Sequence, residues 1–454
     1  MADRSRIPAA TADAPFDFPA IHKSQLANGL AVWSVQHGDL PVATMVLLVR
    51  AGSSADPAGR PGLASLTGDM LDEGAGDRGA LEVHDALARI GAQFDTEVGS
   101  DATFLTLTTL TKFRQQGLAL LADLVARPRF DAGEFERVRH LRTNRLRQLR
   151  DVPSATADRA FATAVYGDHP YGHLAIGTMA ALEHMTLHDV RDFHRRAYQP
   201  ANAVLIIVGD LSHDQAREEA AMSFATWAAE PSAGHVVALG IDATGHAAHR
   251  LLLVDRPGAA QSELRIGHVA VSRRTPDYHA LVVANLVLGG QFVSRLNMNL
   301  REHKGYTYGA RSWFEFRLGP GPFQMSASVQ TEVTAQAIVE AVGEMVSLRG
   351  ARPITASELE TARATLTRGY PRNFETADQI ARSVAQLALY ELPDEYFATF
   401  VPRIAALDLS AVQDAATRNL HPERLVTVIV GDADRVAPTL GVLDLGPPAR
   451  IAAP

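Results

Sequence analysis

The stretch Leu300-Arg301-Glu302-His303-Lys304-Gly305-Tyr306-Thr307-Tyr308 ends a helix, turns at a glycine and begins a strand. Upstream, apolar residues recur at helical spacing from about 277 to 288, Gly289-Gly290 stops that helix, and a second helical pattern covers about 292–301. Downstream, Tyr306, Tyr308, Ala310, Ser312, Phe314 and Phe316 have one parity, as on a single face of a strand. Arg301 and Tyr308 are therefore expected near one turn, with Tyr306 a competitor one step along the same face. A guanidinium offers a rigid fork of donors to a carboxylate or a peptide backbone. A phenolic hydroxyl can donate to a developing oxyanion. Trp313, Phe314 and Phe316 read as core or groove wall.

Outward from this stretch the chain repeats itself. Residues 1–24 read as an N-terminal arm, 25–230 as a first domain, 231–248 as an Ala/Gly/Pro/His-rich linker, 249–440 as a second domain and 441–454 as a tail. Strand patterns at 30–35 and 43–49 correspond to 251–254 and 263–271. Helical runs, two more strands and further helices follow in each half. The ends of the halves align directly: Gln199-Pro200-Ala201-Asn202-Ala203-Val204-Leu205-Ile206-Ile207-Val208-Gly209-Asp210 against His421-Pro422-Glu423-Arg424-Leu425-Val426-Thr427-Val428-Ile429-Val430-Gly431-Asp432. Paired strands and runs of helices predict an α+β fold. The expected architecture is two similar domains from an internal duplication, each a largely antiparallel sheet with helices on one face.

Composition sets the outer limits. The 454 residues are too many for one core, and 46% hydrophobic with 21% charged residues is an ordinary globular balance. A net charge of −8 gives no reason to expect a nucleic-acid partner. The absence of cysteine removes disulfides and thiolate chemistry. Met1 to Ala20 lacks a basic segment followed by an apolar run, so a cytoplasmic location is expected, with the periplasm as the alternative. No apolar run reaches the length of a membrane span.

Several blocks resemble the pitrilysin/insulinase/mitochondrial processing peptidase family. In the first half these are Leu26-Ala27-Asn28-Gly29-Leu30, Gly62-Leu63-Ala64, Tyr166-Gly167-Asp168-His169-Pro170-Tyr171-Gly172, Gly177-Thr178, Phe193-His194-Arg195-Arg196-Ala197-Tyr198-Gln199-Pro200 and Val208-Gly209-Asp210. In the second half they are Leu288-Gly289-Gly290, Arg295-Leu296 and the opening stretch. The resemblance implies a processing-peptidase-like fold. It also implies that a His-x-x-Glu-His motif and a distant Glu should hold zinc in the first half, the middle Glu acting as base. Two histidines at i and i+4 share a helix face, which is why that spacing suits a metal.

Here the motif reads Ser65-Leu66-Thr67-Gly68-Asp69. Ser65 and Asp69 stand at the ligand positions and Gly68 at the base. The distant Glu falls at Arg145, or at Asn144 if the register slips by one. No zinc is expected in this chain. The histidine pair His184 and His188, with His194 nearby, lacks the intervening Glu and reads as scaffold. Asp69, Asp72 and Glu73 read as a solvated acidic patch. So does the basic face of Arg137, Arg139, Arg142, Arg145, Arg147 and Arg150, with acidic peptide as its alternative ligand.

The resemblance keeps Arg301 and Tyr308, a pair that in the family reaches across to substrate, and it implies a substrate contact for Gly289, Gly290 and Tyr306. The expected function follows from that half of the machinery. The chain is read as the non-catalytic subunit of a heterodimeric zinc metalloendopeptidase, inactive alone. It would close a peptide-binding chamber and supply Arg301 and Tyr308 to a partner chain that carries His-x-x-Glu-His and the zinc. The alternative is a catalytically inert structural or peptide-binding core subunit of a larger complex.

Overall fold

The computed structural model describes residues 17–38, 40–229 and 250–453. Its first half holds β1 (His22–Gln25), β2 (Ala31–Gln36), β3 (Val42–Val49), a short hairpin of β4 (Gly74–Ala75) and β5 (Arg78–Gly79), then β6 (Gln93–Val98), β7 (Thr103–Leu110) and β8 (Ala203–Gly209). The second holds β9 (Leu251–Asp255), β10 (Gln261–Val269), β11 (Thr307–Phe314), β12 (Pro322–Gln330), β13 (Val426–Gly431) and β14 (Ala449–Ile451).

Two six-stranded sheets form, in the orders β1-β2-β8-β3-β7-β6 and β11-β12-β10-β13-β9-β14. The run β2-β8-β3-β7-β6 reappears as β9-β13-β10-β12-β11. In both, the first strand pairs in parallel with the closing strand, and the remaining pairs are antiparallel. The aligned segments at the ends of the halves are thus equivalent strands, β8 and β13, inserted next to β2 and β9 respectively. Every residue of both is buried. A strand covered on both faces needs a continuous apolar run, which explains why these were the plainest repeats in the sequence.

The cover on the second face comes from the other half. Within the first sheet, Met45, Leu47, Val49, Leu205 and Ile207 face that half's own helices. The alternate residues Val46, Leu48, Val204, Ile206 and Val208 face the opposite way, toward the helix Ala377–Tyr390 of the second half. Reciprocally, the helix Pro153–Tyr166 of the first half lies on β10 and β13, its Ala157, Phe161 and Val165 against Val426, Val428 and Val430. Each half's own helices do lie on one face of its sheet; the exchanged helix makes each sheet a covered layer. Side-chain alternation at period two produces both faces from one strand.

The ends differ from the expectation. The arm joins the fold over its last residues: Phe18 packs edge-on against Phe374 and at a tilt against Phe397 of the second half, and β1 pairs with β2. The tail also joins the fold, because β14 pairs in parallel with β9 at the sheet edge. The expected linker, 231–248, lies outside the described residues, as do residues 1–16.

Gly289-Gly290 ends the first helical segment, as expected: the α-helix Tyr278–Asn285 continues as a π turn, Leu286–Gly290, and Gln291 is extended. A second segment starts after the extended Ser294, α-helical at Arg295–Asn297 and π-helical at Met298–His303. Taken together, Tyr278–His303 is the one stretch among the described residues long and apolar enough to cross a membrane. Its Leu281, Val283, Leu288, Leu296 and Leu300 are buried in the second core, which is what the apolarity serves here.

Candidate functional site

The helix Leu63–Asp69 carries the residues at the family's metal positions. Asp56 fixes its start, its carboxylate accepting from the backbone of Gly62 at 2.6 Å and Ala64 at 2.7 Å. Gly62 has φ of 100° and packs so closely on Gly177 that a side chain would meet backbone. Facing Ser65 and Asp69 is Arg142, from the helix Ala132–Arg150. Its guanidinium donates to Asp69 Oδ2 at 2.7 Å and also to Ser65 Oγ. Arg142 is only 5% exposed, whereas Arg145 is exposed and Asn144 half-buried. On this helix it is therefore Arg142, three residues and about one turn before Arg145, that faces Ser65 and Asp69.

This donor set does not fit zinc. One carboxylate and one hydroxyl remain, and both already bind a fixed cation. A Cβ at Gly68 would come within 3.1 Å of Thr96 Cγ2 and 3.2 Å of Val98 Cγ2, so the base position is filled by the neighbouring strand. Among the described residues no three His, Asp or Glu side chains cluster as metal ligands. His194 is scaffold: its Nε2 meets the Val125 carbonyl at 2.8 Å, its ring stacks on Tyr198, and burial pushes its pKa down to about 4. The basic face divides as well. Arg137 binds Glu73 and Glu134, Arg139 binds Glu136, and Arg142 points inward.

The Arg301–Tyr308 turn is built differently. The π turn closes when the amides of Gly305 and Tyr306 donate to the carbonyls of Arg301 and Leu300, with Gly305 at a φ of 65°. This is a glycine-type helix end, widened by one residue. The strand that follows does not keep one parity. Thr307 is opposite Val329 and Ala310 opposite Ala327, so Tyr308 and Gly309 together face Ser328. This is a β-bulge, and bulges re-aim side chains. Thr307 holds it, donating from Oγ1 to Ser328 O at 2.6 Å and accepting from Gly309 N at 3.1 Å. Tyr306 consequently packs against the core, while Tyr308 is 92% exposed. The expected shared face of Tyr306, Tyr308, Ala310 and Ser312 is corrected: Tyr308 falls with Arg311 and Trp313, and Ala310 and Ser312 turn inward.

Tyr308, Arg311 and Trp313 line an open groove of about 770 Å³ with Asp158, Glu263 and Arg265. Arg265 is tied down by Asp158 at 2.6 Å and Glu263 at 3.1 Å. Arg311 is exposed, with no carboxylate in ion-pair range among the described residues. Arg301 stands apart from the groove lining. Its guanidinium lies 4.5 Å from the centroid of the exposed Phe292 ring and 3.5 Å from Glu302 Oε1.

Residues outside the sequence reading position this strand. β11 is an edge, and its free side is bonded by asparagines rather than by another strand. Asn297 accepts from Ala310 N at 3.3 Å, and Asn285 donates to Ser312 O at 3.0 Å while accepting from Ser312 Oγ at 2.8 Å. Gly289 belongs to the same joint. A Cβ there would lie 2.5 Å from Ser312 Oγ and 2.6 Å from Ser312 N. Its role is close approach; Gly290, next to it, is exposed. Gly289→Ala is expected to cost about 1–3 kcal/mol in urea unfolding by overpacking against the Ser312 backbone, whereas at Gly290 the nearest backbone atom, Asn285 O, lies 3.1 Å from the added Cβ rather than 2.6 Å, so Gly290→Ala should cost less. Equal losses at the two glycines would contradict this assignment.

Comparison with known proteins is consistent with this picture. Residues 32–178 match the family model described as insulinase (peptidase family M16), and residues 184–366 match the peptidase M16 inactive domain. An uncharacterized zinc protease of Mycobacterium leprae is 24% identical over 348 residues, covering 76% of this chain and 77% of that protein. The crystal structure of a peptidase M16 inactive domain from Pseudomonas fluorescens superposes with a TM-score of 0.85 at 26% identity, covering 91% of this chain and 98% of that one. A protease from Helicobacter pylori has the same fold, with a TM-score of 0.83 at 21% identity over 91% of this chain and 99% of that one.

Proposed function

Taking as premise that this chain belongs to peptidase family M16, we propose that it is the non-catalytic half of a two-chain zinc endopeptidase and lends Tyr308 and Arg301 to its partner. The observation that carries this reading is a contrast within one chain. The metal positions are closed by a buried arginine, while the tyrosine hydroxyl of the second half stands open in a groove. A phenol held by a bulge, with no hydrogen-bond partner of its own among the described residues, suits an oxyanion that forms elsewhere and is brought to it. The partner would carry His-x-x-Glu-His and supply a metal-activated water; this chain would hold and orient an extended peptide. Arg301, at the turn before the strand, would grip the substrate backbone or a carboxylate.

The test is reconstitution. The chain and a homologue bearing the intact motif, from the same organism, are purified separately and mixed over a labelled unfolded polypeptide. Cleavage that needs both chains and saturates at equal stoichiometry is the expected result. A homologue that is fully active alone, or a pair that associates and cuts nothing, would favour the inert structural role.

A further inference from the structure

The groove beside Tyr308 does not end at Trp313. The same indole lines a second cavity of about 520 Å³ between the halves, walled by Asp101 and Phe104 from one side and Arg273, Tyr278 and Arg317 from the other. A peptide lying along β11 from Tyr308 passes Trp313 after ~16 Å, or about five residues of extended chain, and enters this second cavity.

Of the charges lining it, Arg382 and Arg317 have carboxylate partners, and Asp101 is held by hydrogen bonds alone. Arg382 pairs with Asp378 at 3.0 Å and Glu97 at 3.6 Å, and Arg317 pairs with Glu315 at 2.6 Å. Asp101 accepts from the Tyr171 hydroxyl and from Leu318 N, the latter at 2.8 Å. Arg273 has no carboxylate in ion-pair range among the described residues, although it is only 6% exposed. Its guanidinium carbon lies 3.5 Å from the centroid of the Tyr278 ring, 4.9 Å from that of Tyr396 and 5.7 Å from that of Tyr390. Ring faces compensate a buried cation only in part. A buried charge without a counter-ion is costly, and an incoming anion would remove that cost.

We propose that Arg273 is a specificity residue that receives a carboxylate of the bound peptide, from an acidic side chain or the C-terminus, about five or more residues from the segment at Tyr308. The inference rests on the peptide-binding reading above. The three surrounding tyrosine rings confine the guanidinium before the ligand arrives.

The experiment uses the full chain alone and measures binding by fluorescence anisotropy. The probes are otherwise uncharged extended peptides: one with a free C-terminal acid, its C-terminal amide, and amidated versions with an internal Glu or Gln at stepped positions. Wild type is expected to bind at least one acid more than about tenfold tighter than its neutral counterpart. The acid–amide pair reports a terminus and the Glu–Gln pairs a side chain. Arg273→Gln should abolish the difference while circular dichroism stays unchanged; Arg273→Lys should retain part of it. Equal affinity of acids and neutral counterparts for wild type would overturn the proposal, as would discrimination that survives Arg273→Gln. The wild-type comparison decides even if a variant fails to fold. Equal, measurable binding of all probes sinks only the Arg273 role; binding of none sinks the peptide-binding reading with it.

Discussion

Replacing Tyr308 by Phe in the reconstituted pair is expected to lower kcat about 10²–10³-fold, roughly 3–4 kcal/mol, the usual cost of removing one oxyanion donor. The change deletes one oxygen from a side chain that is 92% exposed, so the fold and the association of the two chains should be untouched. KM should move little, because the donor acts on charge that develops only in the transition state. Arg301→Ala should behave differently. If the guanidinium grips the ground-state peptide, its loss raises KM more than it lowers kcat. A pair carrying Tyr308→Phe that keeps kcat within about twofold of wild type would refute the assignment of the hydroxyl to the reacting centre.

The second large effect concerns Arg142. Substitution by Met retains most of the buried stem but strips the charge from between Ser65 and Asp69. Asp69 would then stand beside Glu73 with no cation. The Asp69 side chain is about half open to solvent, so the loss at neutral pH is discounted from the buried-pair range to about 2 kcal/mol.

The pH dependence has a definite sign. Burial already raises the Asp69 pKa, with Arg142 opposing it. A carboxylate raised in the folded state binds protons more readily there than in the unfolded chain, so its contribution to stability falls as pH rises from the ordinary carboxylate value through the raised one. Removing Arg142 raises that pKa further. The penalty of Arg142→Met should therefore be full at neutral pH and shrink as acid protonates Asp69, and Asp69→Asn in the same chain should recover part of it. Urea unfolding at neutral pH and near pH ~4 reads both. A penalty independent of pH would mean the guanidinium is merely filling space. A chelator should leave the wild-type melting temperature unchanged.

The amino-acid sequence by itself determined the duplication, the strands that close each half, the loss of both metal-position histidines and the Arg301–Tyr308 spacing. These are local properties: a strand covered on both faces must be a continuous apolar run, and a ligand position is occupied by whatever residue is written there. Three things were settled only by the tertiary structure. The exchange of helices 153–166 and 377–390 between the halves is invisible locally, because a helix's apolar stripe does not say which sheet it covers. The bulge at Tyr308 and Gly309 reverses a parity that period-two reading carried straight through, since an extra residue in one strand is defined only against its partner. Arg142 was one of six arginines on one helix until the fold turned it, and not Arg145, toward Asp69. Electrostatic partnership depends on distance in space, and sequence spacing fixes that distance only within a turn or two of the same element.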